Sequence, residues 1–142
     1  MQYSNENPVE NQAVTGIGEG TPQVLMAEDN LVNQKLSKLL FKKLNIEIDV
    51  VSNGEEAVEF CRTGKYEMVF MDMQMPVMDG VDATRKIKNL LGEDSPAIIA
   101  LTANAMAGDR QKYLDCGMDD YLAKPLSLDT LKEMIRKYIV TD

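Results

Sequence analysis

The chain has 142 residues, of which 44% are hydrophobic, and a net charge of −8. That length suits one domain with one core. The acidic balance excludes direct nucleic-acid binding, which needs Lys and Arg clusters to meet phosphate. No apolar run approaches the ~18 residues of a transmembrane helix, and no basic amphipathic stretch suits a membrane surface. The opening "MQYSNENPVENQ" has no hydrophobic segment of the signal-peptide kind. Cys61 and Cys116 lie far apart, outside any CxxC spacing, and the chain contains no histidine. The expectation is two reduced, half-buried thiols in a cytoplasmic protein. The missing histidine excludes His-based catalysis and a phosphohistidine within these residues.

Residues 1–21 are rich in Asn, Gln, Glu and Gly and lack apolar periodicity, which predicts a flexible tail or linker ahead of a domain over 22–142. From there, apolar runs and helical patterns alternate. A strand over 23–29, "QVLMAED", precedes a helix over 33–45 with Leu36, Leu39, Leu40 and Leu44 at helical spacing. A strand over 46–52 precedes a helix over 53–64 stopped by Gly64, and a strand over 66–73 precedes a helix over 79–92 stopped by Gly92. A strand over 96–103 precedes a helix over 107–117 ended by Gly117. A short strand over 119–125 precedes a helix over 127–140, with Ser127 as N-cap. Strands that read as unbroken apolar runs are covered by helices on both faces. Alternating strand–helix units predict an α/β fold, a doubly wound parallel sheet of five strands with five helices. Ligands of such sheets bind beyond the carboxyl ends of the strands.

Polar side chains collect at that rim. The first strand ends in Glu28-Asp29, the third in Asp72, the fourth in Thr102, and the fifth in Lys124 followed by Pro125. Three carboxylates brought together repel one another unless a cation sits among them. Oxygen ligands without His or Cys suit Mg²⁺ or Mn²⁺. Mg²⁺ retains waters and commonly completes its shell with a phosphoryl oxygen. A carboxylate beside it can attack a phosphoryl group and become an aspartyl phosphate. Lys124 can pair with that phosphate as a point charge, and Thr102 can donate a hydrogen bond to it.

At these residues the chain resembles the response-regulator receiver domain of two-component signalling. The resemblance rests on "MAEDN", "MDMQMPVMDG", "ALTANA" and "YLAKP" in that order, and it covers about residues 22–140. "AEDNLVNQK" and "ALTANAMAGDRQKYLDCGMDDYLAKP" resemble receivers attached to hybrid sensor histidine kinases, with the C-terminal receiver as the expected origin. The resemblance implies a flavodoxin-like sheet in the order 2-1-3-4-5. It makes Asp72 the phosphorylation site and assigns Mg²⁺ to the carboxylates of Asp29 and Asp72 and the backbone carbonyl of Gln74. Glu28, where many family members have Asp, acts mostly through a metal-bound water. Thr102 and Tyr121 become the switch pair, Lys124 the phosphate-pairing cation, and Gln74 and Asn104 the residues that tune dephosphorylation. It also implies a Lys124-Pro125 bond that is often cis.

Other readings of these residues stand beside this one. Glu28-Asp29 could cap the following helix, Asp79-Gly80 reads as a turn and N-cap, and Tyr121 could be static packing. An aspartyl phosphatase would need a second acid two residues after its nucleophile, where this chain has Gln74. A flavodoxin-like cofactor binder would need a Ser/Thr/Gly-rich phosphate cradle after the first strand, where "AEDN" places negative charge. A degenerate receiver that only docks would have lost an acid, the Thr or the Lys. A free-standing single-domain regulator remains an alternative to an excised hybrid-kinase receiver. The implied partner is a histidine kinase or histidine phosphotransfer protein, with a monomeric receiver in the cytoplasm and a parent kinase that is soluble or membrane-anchored. Because the helix at 127–140 nearly ends the sequence, output is expected through a partner.

Overall fold

The computed structural model describes residues 23–103 and 107–139, and of 107–110 the backbone alone. The predicted tail over 1–21 and Asn104 lie outside the described residues. The chain runs β1 (Val24–Ala27), α1 (Leu31–Lys43), β2 (Ile48–Val51), α2 (Gly54–Thr63), β3 (Met68–Asp72), α3 (Gly80–Leu91), β4 (Ala97–Thr102), α4 (Ala107–Asp115), β5 (Asp120–Ala123) and α5 (Leu128–Tyr138). All strand pairs are parallel and the sheet order is β2-β1-β3-β4-β5, as the resemblance implied.

The two-residue period of the strands divides the core. Leu25, Ala27, Val69, Met71, Ile98 and Ala100 face one side, against Ala57 and Cys61 of α2, Ala83 and Ile87 of α3, and Tyr113 of α4. Val24, Met26, Met68, Phe70, Ile99 and Leu101 face the other, against Phe41 of α1 and Leu131, Met134 and Ile135 of α5. The Phe41 and Phe70 rings meet edge to face with centroids 5.3 Å apart, a preferred aromatic geometry. The central strands β1 and β3 are buried along their full length, whereas β2 and β5, with one neighbour each, keep Asp49 and Ala123 exposed. Continuous burial therefore fails at the two edges, where only one side of the strand is paired.

Several boundaries differ from the sequence expectation. Helix α1 begins at Leu31, capped by Asn30, whose side chain accepts the Asn33 N–H. Neither Glu28 nor Asp29 is the cap. The buried face of α1 carries Ser37 and Phe41, while Leu36 and Leu39 are exposed. Both sets have helical spacing, and the larger apolar surface of Phe41 takes the core side. A 3-10 turn, Gly92–Asp94, follows α3 where a plain stop was expected. Cys61 and Cys116 are free and fully buried rather than half-buried, because both face the core layer beneath α2 to α4. The caps expected at Asp79 and Ser127 are present, each accepting a backbone N–H three residues on. The Lys124-Pro125 bond is cis.

The loop after β3 is held by two close backbone approaches. Val77 has φ 68°, an uncommon region for a β-branched residue, and the Met78 N–H donates back to the Pro76 carbonyl at 2.7 Å. This tight reversal returns the chain so that Gly80 opens α3 directly under the end of β3. A Cβ on Gly80 would sit 2.6 Å from the Asp72 carbonyl oxygen. Gly54, at the start of α2, donates its N–H to the Met78 carbonyl, and a Cβ there would fall 2.2 Å from that oxygen. Both neighbours are backbone and cannot rotate away. Gly80→Ala and Gly54→Ala are each expected to lower stability by about 2–3 kcal/mol, measured as a fall in urea midpoint. Gly54→Ala should be the worse of the two. Unchanged midpoints would show that the loop is not packed this way.

Candidate functional site

Order reversal at β1 and β3 opens a crevice at their carboxyl ends, and a cleft of about 550 Å³ lies there. Its lining includes Glu28, Asp29, Asp72, Gln74, Thr102 and Lys124. Asp72 is the last residue of β3 and only 6% exposed; Glu28 follows β1 and is 2% exposed; Asp29 is exposed at the rim. Carboxylate oxygens of these three acids lie within 4.8 Å of one another. Thr102, the last residue of β4, is 6% exposed. The five residues anticipated from the strand ends thus come together; of those the resemblance added, Gln74 lines the cleft, Tyr121 is half-buried on β5 against the adjoining core, and Asn104 lies outside the described residues.

Lys124 organises the charges. Its ammonium stands 3.0 Å from Glu28 Oε1 and 3.1 Å from Asp72 Oδ2. The other oxygens are also engaged: Glu28 Oε2 accepts the Asn30 N–H, and Asp72 Oδ1 accepts the Gln74 N–H, both at 3.1 Å. Burial works against the charge on Lys124, but hydrogen bonds and attraction from Glu28 and Asp72 outweigh it and raise its pKa above the ordinary lysine value. A raised folded-state pKa gives a stabilisation fully present below the unfolded lysine value and lost only as pH rises through the folded one. The ammonium thus stays charged through the neutral range. Two buried carboxylates and one at the rim face a single ammonium, so the cluster retains an excess of negative charge. The all-oxygen donor set fits a hard divalent cation, with Glu28, Asp29 and Asp72 as the residues to hold it.

The sequence reading did not single out Tyr113. This residue of α4 lines the cleft, is 5% exposed, and donates its hydroxyl to Thr102 Oγ1 at 2.9 Å. Its ring centroid is 6.1 Å from that of Tyr121. Tyr113 lies inside the stretch "ALTANAMAGDRQKYLDCGMDDYLAKP", but nothing in that stretch sets it apart. Only the phase of α4 over the sheet brings it to Thr102.

The chain is similar to known proteins in sequence and in fold. The family model of the response regulator receiver domain matches residues 24–136. A hybrid signal transduction histidine kinase, kinase I of Dictyostelium discoideum, is 40% identical over 124 residues, which cover 82% of this chain and 7% of that protein. The chain therefore spans a small part of that relative. The receiver domain of the sensor histidine kinase PA1611 from Pseudomonas aeruginosa, solved with a magnesium ion coordinated in its active site cleft, is 38% identical, with TM-score 0.77 over 84% of this chain and 98% of that one. The receiver domain of the Saccharomyces cerevisiae response regulator Ssk1, solved with the histidine phosphotransfer protein Ypd1, is 32% identical, with TM-score 0.78 over 83% of this chain and 88% of that one.

Removing the shared cation should leave Glu28 and Asp72 opposed. Lys124→Met is expected to cost about 2 kcal/mol in unfolding free energy without divalent cation. This is less than the ~3–5 kcal/mol for breaking a fully buried pair, because the lysine side chain is 24% exposed. Mg²⁺ at ten times its dissociation constant should stabilise the wild type by about 1.4 kcal/mol, and Asp72→Asn should lose most of that gain. Thermal unfolding with and without Mg²⁺ checks both. An equal Mg²⁺ effect in the wild type and Asp72→Asn would remove Asp72 from the metal site.

Proposed function

Because the chain belongs to the response regulator receiver domain family, we propose that it is the phosphoacceptor of a two-component phosphorelay. Asp72 takes a phosphoryl group from a phosphohistidine on a partner protein or domain. The reading rests above all on one observation: a buried Asp72 at the end of a central strand, with two further carboxylates within 4.8 Å and Lys124 at 3.1 Å. An acid so placed is held rigidly by the sheet, while the cleft leaves it open to a reactant from outside.

The proposed step forms a bond between an Asp72 carboxylate oxygen and phosphorus while the bond from phosphorus to the histidine nitrogen breaks. The electron pair of that bond leaves with the imidazole. Lys124 is already paired with Asp72 Oδ2 and would follow the added charge onto the phosphoryl oxygens as a point charge. A bound Mg²⁺ would offset charge between the acids and the phosphoryl group, held by Asp29, Asp72 and the Gln74 backbone carbonyl, with Glu28 acting through water. By the family resemblance, Gln74 and Asn104 would tune the slow loss of the phosphoryl group. Thr102 and Tyr121 would move inward on phosphorylation and bias the surface near β4 and β5, a population shift between two packings.

The partner class has its own support. Leu31, Val32, Leu36 and Leu39 of α1, the helix that follows Glu28 and Asp29, are exposed, and exposed apolar side chains of this kind suit a protein contact. A receiver relative was solved with a phosphotransfer protein. We assign the chain to a hybrid histidine kinase by its likeness to such a kinase, with a free-standing regulator as the alternative, and place its work in the cytoplasm as a monomer. No helix among the described residues is long and apolar enough to cross a membrane.

Intact-protein mass after incubation with acetyl phosphate, a small-molecule phosphodonor, and Mg²⁺ tests the reading. One phosphoryl adduct is expected in the wild type and none in Asp72→Asn or with the metal chelated. If the wild type accepts no phosphoryl group from either acetyl phosphate or a phosphorylated phosphotransfer protein, the chain is a docking module instead.

A further inference from the structure

Tyr113 connects two parts of the site that the strands alone leave separate. Its hydroxyl donates to Thr102 Oγ1 at 2.9 Å, with both residues buried. Its ring stands 6.1 Å from the Tyr121 ring at 46°. Its backbone carbonyl accepts the Met118 N–H and the Cys116 thiol, each at 3.1 Å, where the chain leaves α4. The residue is therefore fixed at its backbone, packed on one candidate switch residue and hydrogen-bonded to the other.

We infer that Tyr113 is a positioning residue that restrains Thr102 in the unphosphorylated arrangement and ties its movement to α4. The inference rests on the reading of Asp72 as phosphoryl acceptor. Thr102 Oγ1 accepts the Tyr113 hydroxyl in the arrangement seen here. Drawing that oxygen toward a phosphoryl group on Asp72 stretches or breaks the bond and leaves a buried tyrosine hydroxyl to find another acceptor, which opposes the move. The same displacement pulls on α4 through Tyr113 and shifts the ring beside Tyr121. Phosphorylation would thus be felt first at α4, through an O–H bond rather than through ring packing alone.

Tyr113→Phe keeps the ring and removes the bond. The phosphoryl mimic beryllofluoride, titrated calorimetrically with Mg²⁺, should bind this variant about two- to tenfold more tightly than the wild type, the range of one buried neutral hydrogen bond. The gain should vanish when Tyr113→Phe is combined with Thr102→Ala and persist with Thr102→Ser, which keeps the hydroxyl. A purely structural role for Tyr113 would change affinity alike in all three backgrounds. Equal or weaker binding by Tyr113→Phe, or the same gain with Thr102→Ala, overturns the inference. A wild type that binds no beryllofluoride overturns the phosphoacceptor reading itself. A wild type that binds with Tyr113→Phe matching it overturns only the role of Tyr113.

Discussion

Glu28 and Asp72, both nearly free of solvent, share a single ammonium on Lys124 at 3.0 and 3.1 Å, with Asp29 at the rim beside them. Buried like charges destabilise a fold unless they are paired. The lysine therefore has to arrive from β5 while the acids arrive from β1 and β3. That requirement makes the parallel register across β3, β4 and β5 a condition of the site as well as of the core. Lys124 balances one of the negative charges, and the excess leaves the cleft receptive to a divalent cation. A site that is electrostatically incomplete on its own is suited to a group that arrives with its own charge and later departs.

The backbone around Asp72 meets the same demand for close placement. Gly80 and Gly54 let α3 and α2 approach the β3–α3 loop more closely than any side chain would permit, and Val77 takes a strained φ to complete the reversal. The acid is thereby held from beneath by peptide groups that have little freedom to adjust. Rigid support on that side contrasts with the other, where Thr102, Tyr113 and Tyr121 meet through one hydroxyl pair and one tilted ring contact. Single hydrogen bonds of this kind contribute little net free energy. In the proposed switch they would be exchanged for contacts to a phosphoryl group on Asp72, at a cost small enough for two packings to interconvert.

Much of this could be read from the residues. Asp72, Glu28, Asp29, Thr102 and Lys124 were legible because each stands where an apolar run stops, and a parallel sheet gathers such ends at one edge. The strand order followed from the family resemblance carried by four short motifs. The face of α1 was legible only in part: Leu40 and Leu44 pack beside Phe41 as the leucine spacing suggested, whereas Leu36 and Leu39 are exposed, because periodicity cannot tell which neighbouring stripe meets the sheet. Burial of Cys61 and Cys116 was underestimated because the depth of the layer under α2 and α4 depends on how small Ala57, Ala83 and Ala100 let the helices settle.

By itself the sequence determined the alternating elements, the parallel doubly wound class and the chemistry gathered at one rim. All three are consequences of local apolar period and of where polar residues interrupt it. Only the tertiary structure decided that Ser37 and Phe41 rather than Leu36 and Leu39 face the sheet, and that Tyr113 reaches Thr102. These depend on the rotation and depth of each helix against the sheet. Those quantities are set by the summed packing of residues distant in the chain, which no single stretch of sequence encodes.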